Sequence, residues 1–396
     1  MLVLTTTLPA RQGDGTPEFV LWLAQALRND FEVHIVGPRV SGARAYENLD
    51  GVVIRRFAYS PNRRDGLADQ AILPALRAQP WRVIEVPFLV AGLWITAIKT
   101  ASRIRPAVVH AHWLVPSGLV ALSLRWLLGI PYIVTVHGAD AYALNSRLMR
   151  HLKRLITRHA HIVAPVSRDM GRVLGLASDD LERLVVPMGV DVEGIQREVG
   201  TRNPVHGKFV FIGRLADKKG VDVLLRAATT VPDARLVIVG DGPEAPRLRT
   251  LATELGIQQR VAFTGRQPRE RVMDELRTAY AVVIPSTVGG GGDRDGTPLV
   301  VSEAMAAGVP VIASALGGLA EHVVPGETGL LVQAGSDASL AEGLRKALLA
   351  KEEVDRWGVN AKQRARGVLH IDSTVARYRE FLESASGRSG IDVDSG

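Results

Sequence analysis

Two doubly wound α/β domains are predicted by three features of the 396-residue chain. Short apolar runs alternate with helical patterns along nearly its whole length, the spacing of βαβ units and parallel sheets. The runs are continuously apolar, as strands read when helices cover both faces of their sheet. The alternation pauses once, at about 191–207, where a polar stretch with Gly and Pro reads as a linker.

In the first half, strands are expected at 2–7, 31–37, 52–57, 107–112, 131–137 and 161–166, with helices over 16–28, 116–128 and 146–159. In the second half, strands are expected at 208–213, 235–240, 261–264, 281–285, 309–313 and 329–332. Helices there cover 220–230, 243–255, 268–279, 298–307 and 336–350. The break divides an N-terminal domain, 1–198, from a C-terminal domain, 205–371. A last helix follows at 372–385, and 386–396 reads as a frayed tail. The apolar stretch Val83–Ile98 contains Glu85 and Pro87 and falls short of the roughly 20 residues of a spanning helix. It reads as a buried or interfacial helix.

Hydrophobic residues make up 46% and charged residues 22%, ordinary for a globular protein. With no cysteine, thiolate chemistry and disulfides are excluded and a reducing, cytoplasmic setting is expected. Residues 51–168 carry 16 Lys and Arg against four Asp and Glu, a net +12 in a chain of +7. An anionic membrane surface, met peripherally, or an anionic substrate is the expected partner of this region. Nucleic acid is not expected, because aromatics are only 5% and no base-stacking module is present.

The chemistry-bearing motifs fall after predicted strands, where open α/β sheets bind ligands. Asp295-Gly296-Thr297-Pro298 leads into a helix holding Glu303. Thr297 suits the N-cap and Pro298 the first turn, leaving the amides of Leu299 and Val300 for an anion. Arg214 and Lys219, flanked by Gly213 and Gly220, suit a diphosphate or a solvated turn. Gly13-Asp14-Gly15 permits close backbone approach, but the third Gly and the acidic ribose ligand of a dinucleotide fingerprint are missing. His137-Gly138 ends one strand and His110-Ala111-His112-Trp113 another; each suits structure or ligand contact. Asp293 and Asp295 resemble a metal pair, yet Arg294 separates them and no metal is expected. The cluster His151, Lys153, Arg154, Arg158 and His159 suits a solvated helix face or anionic lipid headgroups.

In their order, these motifs resemble the retaining glycosyltransferases of family 4, over about residues 1–385. The resemblance implies the GT-B fold, two Rossmann-like domains facing an interdomain cleft, with helix 372–385 packing back on the first domain. It implies a nucleotide-diphosphate sugar as co-substrate, no other cofactor, and an acceptor that is a glycan, glycolipid or small molecule. Arg214 and Lys219 would clamp the diphosphate, Glu303 bind the ribose, and Asp295 the sugar hydroxyls. Gly265 and Arg266 would line the base, Gly15 pass near the phosphates, and His137 contact the donor sugar. Where the family most often has Glu, this chain has Asp295, one methylene shorter; the run Gly289 to Gly292 before it suggests a mobile loop. The implied activity is hexosyl transfer with retention and without a protein nucleophile. A GT-B sugar-nucleotide epimerase, a non-catalytic sugar-nucleotide-binding protein and, last, a dehydrogenase are the competing readings.

Overall fold

The computed structural model describes residues 1–10, 18–60, 66–69, 72, 75–76, 79–143 and 145–387. Gly15 and residues 388–396 of the expected tail lie outside them. The chain forms two compact units, Met1–Pro165 with Val375–Gly396, and Val166–Thr374.

The first unit has a seven-stranded sheet: β1 (Leu2–Leu4), β2 (His34–Pro38), β3 (Tyr46–Leu49), β4 (Val52–Phe57), β5 (Val109–His112), β6 (Tyr132–Val136) and β7 (Ile162–Pro165). Their order is β3-β4-β2-β1-β5-β6-β7. All neighbours pair in parallel except β3, which pairs antiparallel with β4. The sequence reading missed β3, whose residues Tyr-Glu-Asn-Leu are largely polar. Its hairpin nevertheless carries a signal: Asp50-Gly51 holds φ of 52° and 90°, the turn chemistry that Asp-Gly favours.

The second unit has β8 (Lys208–Ile212), β9 (Arg235–Val239), β10 (Val261–Gly265), β11 (Ala281–Ile284), β12 (Val311–Ser314) and β13 (Gly329–Val332), in the order β10-β9-β8-β11-β12-β13. Phe209 and Phe211 of β8 enter one core with Leu224 and Trp357, while Val210 enters the other with Met305 and Leu369. The two-residue period of the strand thus fills both helix-covered faces.

Two sequence expectations need correction. The polar stretch read as a linker contains helix Val192–Val199, which buries Val192, Ile195 and Val199 along one face. Asp191, read as loop, is its N-cap and accepts the Gly194 N–H at 2.7 Å. The boundary drawn at 198 accordingly lies inside the second unit, which begins at Val166. Second, the apolar helix is longer than expected, Glu85–Ile104, entered through a 3-10 turn at Pro80–Ile84. The last helix is Ile371–Ser386, and from Val375 onward it belongs to the first unit. There Thr135 donates to the Tyr378 hydroxyl at 2.9 Å and Arg379 donates to Asp30 at 2.8 Å.

Asp191→Ala removes the acceptor for a first-turn amide and should lower stability by about 1 kcal/mol. Denaturant unfolding checks this; an unchanged midpoint would show that the cap is not needed.

Candidate active site

Strand order locates the site in each unit. From β8 the chain winds outward through β9 to β10, then returns to β11 on the other side of β8. No crossover covers the carboxyl ends of β8 and β11, and a ligand crevice opens at such a reversal. In the first unit the same reversal falls between β1 and β5.

At the β8–β11 reversal, the loop after β8 turns at Asp217–Lys219 and is closed by Gly220, φ 64°, where a side chain would collide with the Pro285 carbonyl. This close approach sets the lysines against the loop after β11. Lys219 Nζ lies 2.6 Å from Asp295 Oδ2, and Lys218 Nζ lies 3.2 Å from Asp293 and 3.4 Å from Asp295. Ser286 Oγ, fully buried, donates to Asp295 at 3.3 Å. Burial pushes the Asp295 carboxyl upward, but Lys219 and then Lys218 outweigh it and leave the carboxyl below its usual range. The lysines therefore face two acids and their charge is locally balanced. Lys218 was missed by the sequence reading, although it adjoins Lys219.

Arg214 stands at the exit of β8, half-buried and, among the described residues, without an ion pair; burial lowers its pKa. Arg294, which the sequence sets between the two acids, turns instead to Asp169 at 3.4 Å. The glycine run is tied down: Gly290 N–H donates to Asp217 at 3.2 Å and Thr287 N–H to the Lys218 carbonyl at 2.8 Å.

The following helix is Leu299–Ala306, one residue shorter at its start than expected. Pro298 occupies the N-cap with extended backbone (φ −63°, ψ 129°) and no side-chain cap forms. Thr297 is one position too far back to cap, and its buried hydroxyl has no hydrogen-bond partner. Leu299 and Val300 open the helix, so their amides have no intrahelical acceptor. Within the helix, Glu303 lies 3.6 Å from Arg269 Nη1, and Arg269 Nε holds Glu198 at 2.7 Å. Burial raises the Glu303 pKa; Arg269 opposes this and Glu198 adds to it. Neither Arg269 nor Glu198 was singled out from sequence, and Glu198 lies in the misread linker. Gly265, φ 70°, and the exposed Arg266 end β10, the edge strand two places from β8.

In the first unit, His112 at the end of β5 and His137 after β6 meet at 3.0 Å, Nδ1 to Nε2, with stacked rings. The ring of His110 lies 4.2 Å from that of His112. Thr135 gives its hydrogen to Tyr378, so His110 donates from Nε2 to Thr135 Oγ1 at 2.8 Å. Burial pushes His110 and His137 down to about 3, and His112 lies well below its usual value, by burial and by its neighbouring rings. All three are neutral near pH 7. Asp140, buried, accepts the amides of His137, Gly138 and Leu114 and fixes the backbone there. Trp113 holds φ 71°, costly for a bulky residue, with its ring 4.7 Å from His137. Only the loop geometry reveals Trp113; sequence patterning assigns it no role.

The two acids of the second unit should respond oppositely to neutralisation. Asp295 has a lowered pKa, so its charge stabilises the fold above the usual carboxylate range and that stability is lost as pH falls. Asp295→Asn should cost about 3 kcal/mol at neutral pH, fading in acid. Glu303 has a raised pKa, so its ionised form costs stability as pH rises. Glu303→Gln should raise the melting temperature at neutral pH and lose the advantage in acid. Melting curves from neutral pH down through the carboxylate range test both; shifts of the same sign would contradict these environments.

Two family models match the chain: "Glycosyl transferase 4-like domain" over residues 14–189 and "Glycosyl transferases group 1" over 194–364. A D-inositol 3-phosphate glycosyltransferase of Corynebacterium glutamicum is 32% identical over 321 residues, 72% of this chain and 74% of that protein. A GDP-mannose-dependent alpha-(1-6)-phosphatidylinositol monomannoside mannosyltransferase of Mycobacterium tuberculosis is 29% identical, covering 68% and 80%. Among solved structures, sucrose-phosphate synthase from Thermosynechococcus elongatus has a TM-score of 0.76 at 21% identity, covering 98% of this chain and 99% of that one. The Anabaena HepE protein in complex with UDP-glucose has a TM-score of 0.70 at 18% identity, covering 97% and 99%. With the two mainly parallel sheets already described, these likenesses place the chain in family 4 of the GT-B glycosyltransferases: it belongs to the group 1 glycosyltransferases and is a nucleotide-sugar-dependent transferase.

Proposed function

We propose that the diphosphate of the donor sits at the β8–β11 reversal and that a hexosyl group leaves it with retention of configuration. One observation carries the reading. At that reversal a half-buried Arg214, for which no ion pair is found among the described residues, and the first-turn amides of Leu299 and Val300 suit an anion.

Arg214, Lys219 and the helix amides stabilise the charge that grows on the leaving diphosphate, and we assign this task to them and not to a metal. The bond from the anomeric carbon to phosphate oxygen breaks, and the bond to the acceptor oxygen forms on the same face. The acceptor proton passes to the departing phosphate. Asp295, tied to Lys219, is suited to accept from sugar hydroxyls, not to attack carbon. Glu303 receives the ribose, and Gly265 with Arg266 the base. On the first unit we assign His137 to the donor sugar and Gly15 to the phosphates, as the family resemblance implies. His112 fixes the orientation of the His137 ring. The relatives' named substrates, an inositol phosphate and a phosphatidylinositol mannoside, support a glycan, glycolipid or small-molecule acceptor.

Arg214→Ala and Lys219→Ala should each lower kcat about a hundredfold or more, since each removes charge stabilisation made in the transition state. Near-native rates in either would overturn that residue's place in the clamp. Glu303→Ala should weaken nucleoside diphosphate binding with kcat changed less; calorimetry showing unaltered affinity would remove the ribose assignment. Asp295→Asn releases Lys219. It should tighten the nucleoside diphosphate alone while slowing transfer, and weaker binding would argue against the lysine reaching phosphate.

A further inference from the structure

The segment from Pro80 to Ile104 is built inside out. Its charged residues nearest the start face inward: Arg82 and Glu85 are 2% and 8% exposed and pair at 2.8 Å, and Glu85 also accepts the Leu67 N–H at 3.2 Å. Its outer side is apolar, with Trp81, Val83, Ile84, Phe88, Trp94 and Ile95 exposed by 41–67%. Leu89, Leu93, Ala97 and Ala101, four residues apart, are buried on the opposite side. Gly92 lets Phe57 of β4 lie against the helix; a Cβ there would stand 2.5 Å from the ring. By length and hydropathy this helix would pass as a membrane span. With one side seated on the sheet, it is instead placed to lie along an interface.

The face continues onto two more helices. Trp94 Nε1 donates to Ser123 at 3.0 Å on helix Leu119–Leu128, which ends in exposed Trp126, Leu127 and Leu128. Trp126 meets the His159 ring at 5.8 Å on helix Arg147–His159. There Arg147, Arg150, Arg154 and Arg158 are exposed, while Lys153 turns inward to the carbonyls of Ala141 and Ala143. From residue 86 to 165 the one acid is Asp140, 4% exposed. An apolar, tryptophan-bearing surface thus adjoins a cationic one, and the segment 86–165 that carries both holds no exposed acid.

We infer that this face docks on an anionic lipid bilayer, its aromatic side entering the headgroup boundary and its arginines holding lipid phosphates. Charge complementarity chooses this occupant: a purely apolar partner would leave the arginines unanswered, and a second copy would set like charges together. The inference stands independently of the donor-site reading.

The test uses the full chain with vesicles of phosphatidylcholine alone or mixed with phosphatidylglycerol. Sedimentation with the anionic vesicles only is expected, together with quenching of tryptophan fluorescence by brominated acyl chains. Phe88→Asp with Ile95→Asp, and separately Arg150→Glu with Arg154→Glu, should each lower vesicle partitioning at least about tenfold. Exposed positions are chosen so that melting temperatures hold. The wild-type quenching measurement decides the matter should a variant misfold. Wild-type protein that stays in the supernatant at low salt, or partitioning unchanged in both double variants, would overturn the inference. So would a dimer in ultracentrifugation that Phe88→Asp with Ile95→Asp dissolves.

Discussion

Reversal of the winding direction at β8 leaves the carboxyl ends of β8 and β11 side by side with no crossover helix above them. The character of the opening depends on the two loops that border it. One brings Arg214, Lys218 and Lys219, the other Asp293, Asp295 and the start of helix Leu299–Ala306. The collision that any side chain at Gly220 would make with Pro285 shows how tightly they are pressed together. Without that approach the lysines would not reach the acids, and Asp295 would carry an uncompensated charge out of water.

The acids on either side of the opening are held in different electrostatic states. Asp295 is half-buried but doubly countered, so it remains a carboxylate and keeps the lysines in place before any ligand arrives. Glu303 is half-buried with one shared cation, since Arg269 is bound more closely by Glu198. It is therefore the less comfortable of the two. Its discomfort is relieved when it accepts a hydrogen bond from a hydroxyl, because a donor supplies what burial removed. A carboxylate kept short of partners and a hydroxyl kept without one, at Thr297, are costs that folding alone does not justify.

Much of the fold was legible because parallel strands are covered on both faces and so write unbroken apolar runs. Phe209 to Ile212 and Val282 to Ile284 could hardly be read otherwise. Helix Val192–Val199 was not legible, because its apolar residues number few and its cap, Asp191, is also a loop former. Strand β3 was hidden by its place at an edge, where one side faces water and polar residues suffice. In the candidate site, local motifs singled out Arg214, Lys219, Asp295 and Glu303. What they could not find is pairing across the fold: Lys218 with Asp293, Arg269 with Glu198, and His112 with His137 are distant in sequence and joined only by topology. The cap expected at Thr297 failed for a related reason, since the backbone at Pro298 delays the helix by one residue.

Departures from the usual pattern of a folded chain cluster where chemistry is expected of it. Trp113 keeps a positive φ beside His137, at the end of the strand that borders the first unit's own reversal. Three histidines lie neutral in a row, His110 and His112 fully buried, anchored through Thr135 to Tyr378 of the last helix. The segment Pro80–Ile104 buries a charge pair and exposes tryptophans, the reverse of what water selects. Each departure costs free energy in the isolated protein, and local sequence preference does not require any of them. Where propensity, packing and solvation agree, as along β8 and its two cores, a residue is explained by folding. Where they disagree and the disagreement persists in a folded chain, the missing term is best sought in what the chain binds: an anion at the β8–β11 opening, a sugar beside the histidines, and a surface of different polarity against the exposed helix.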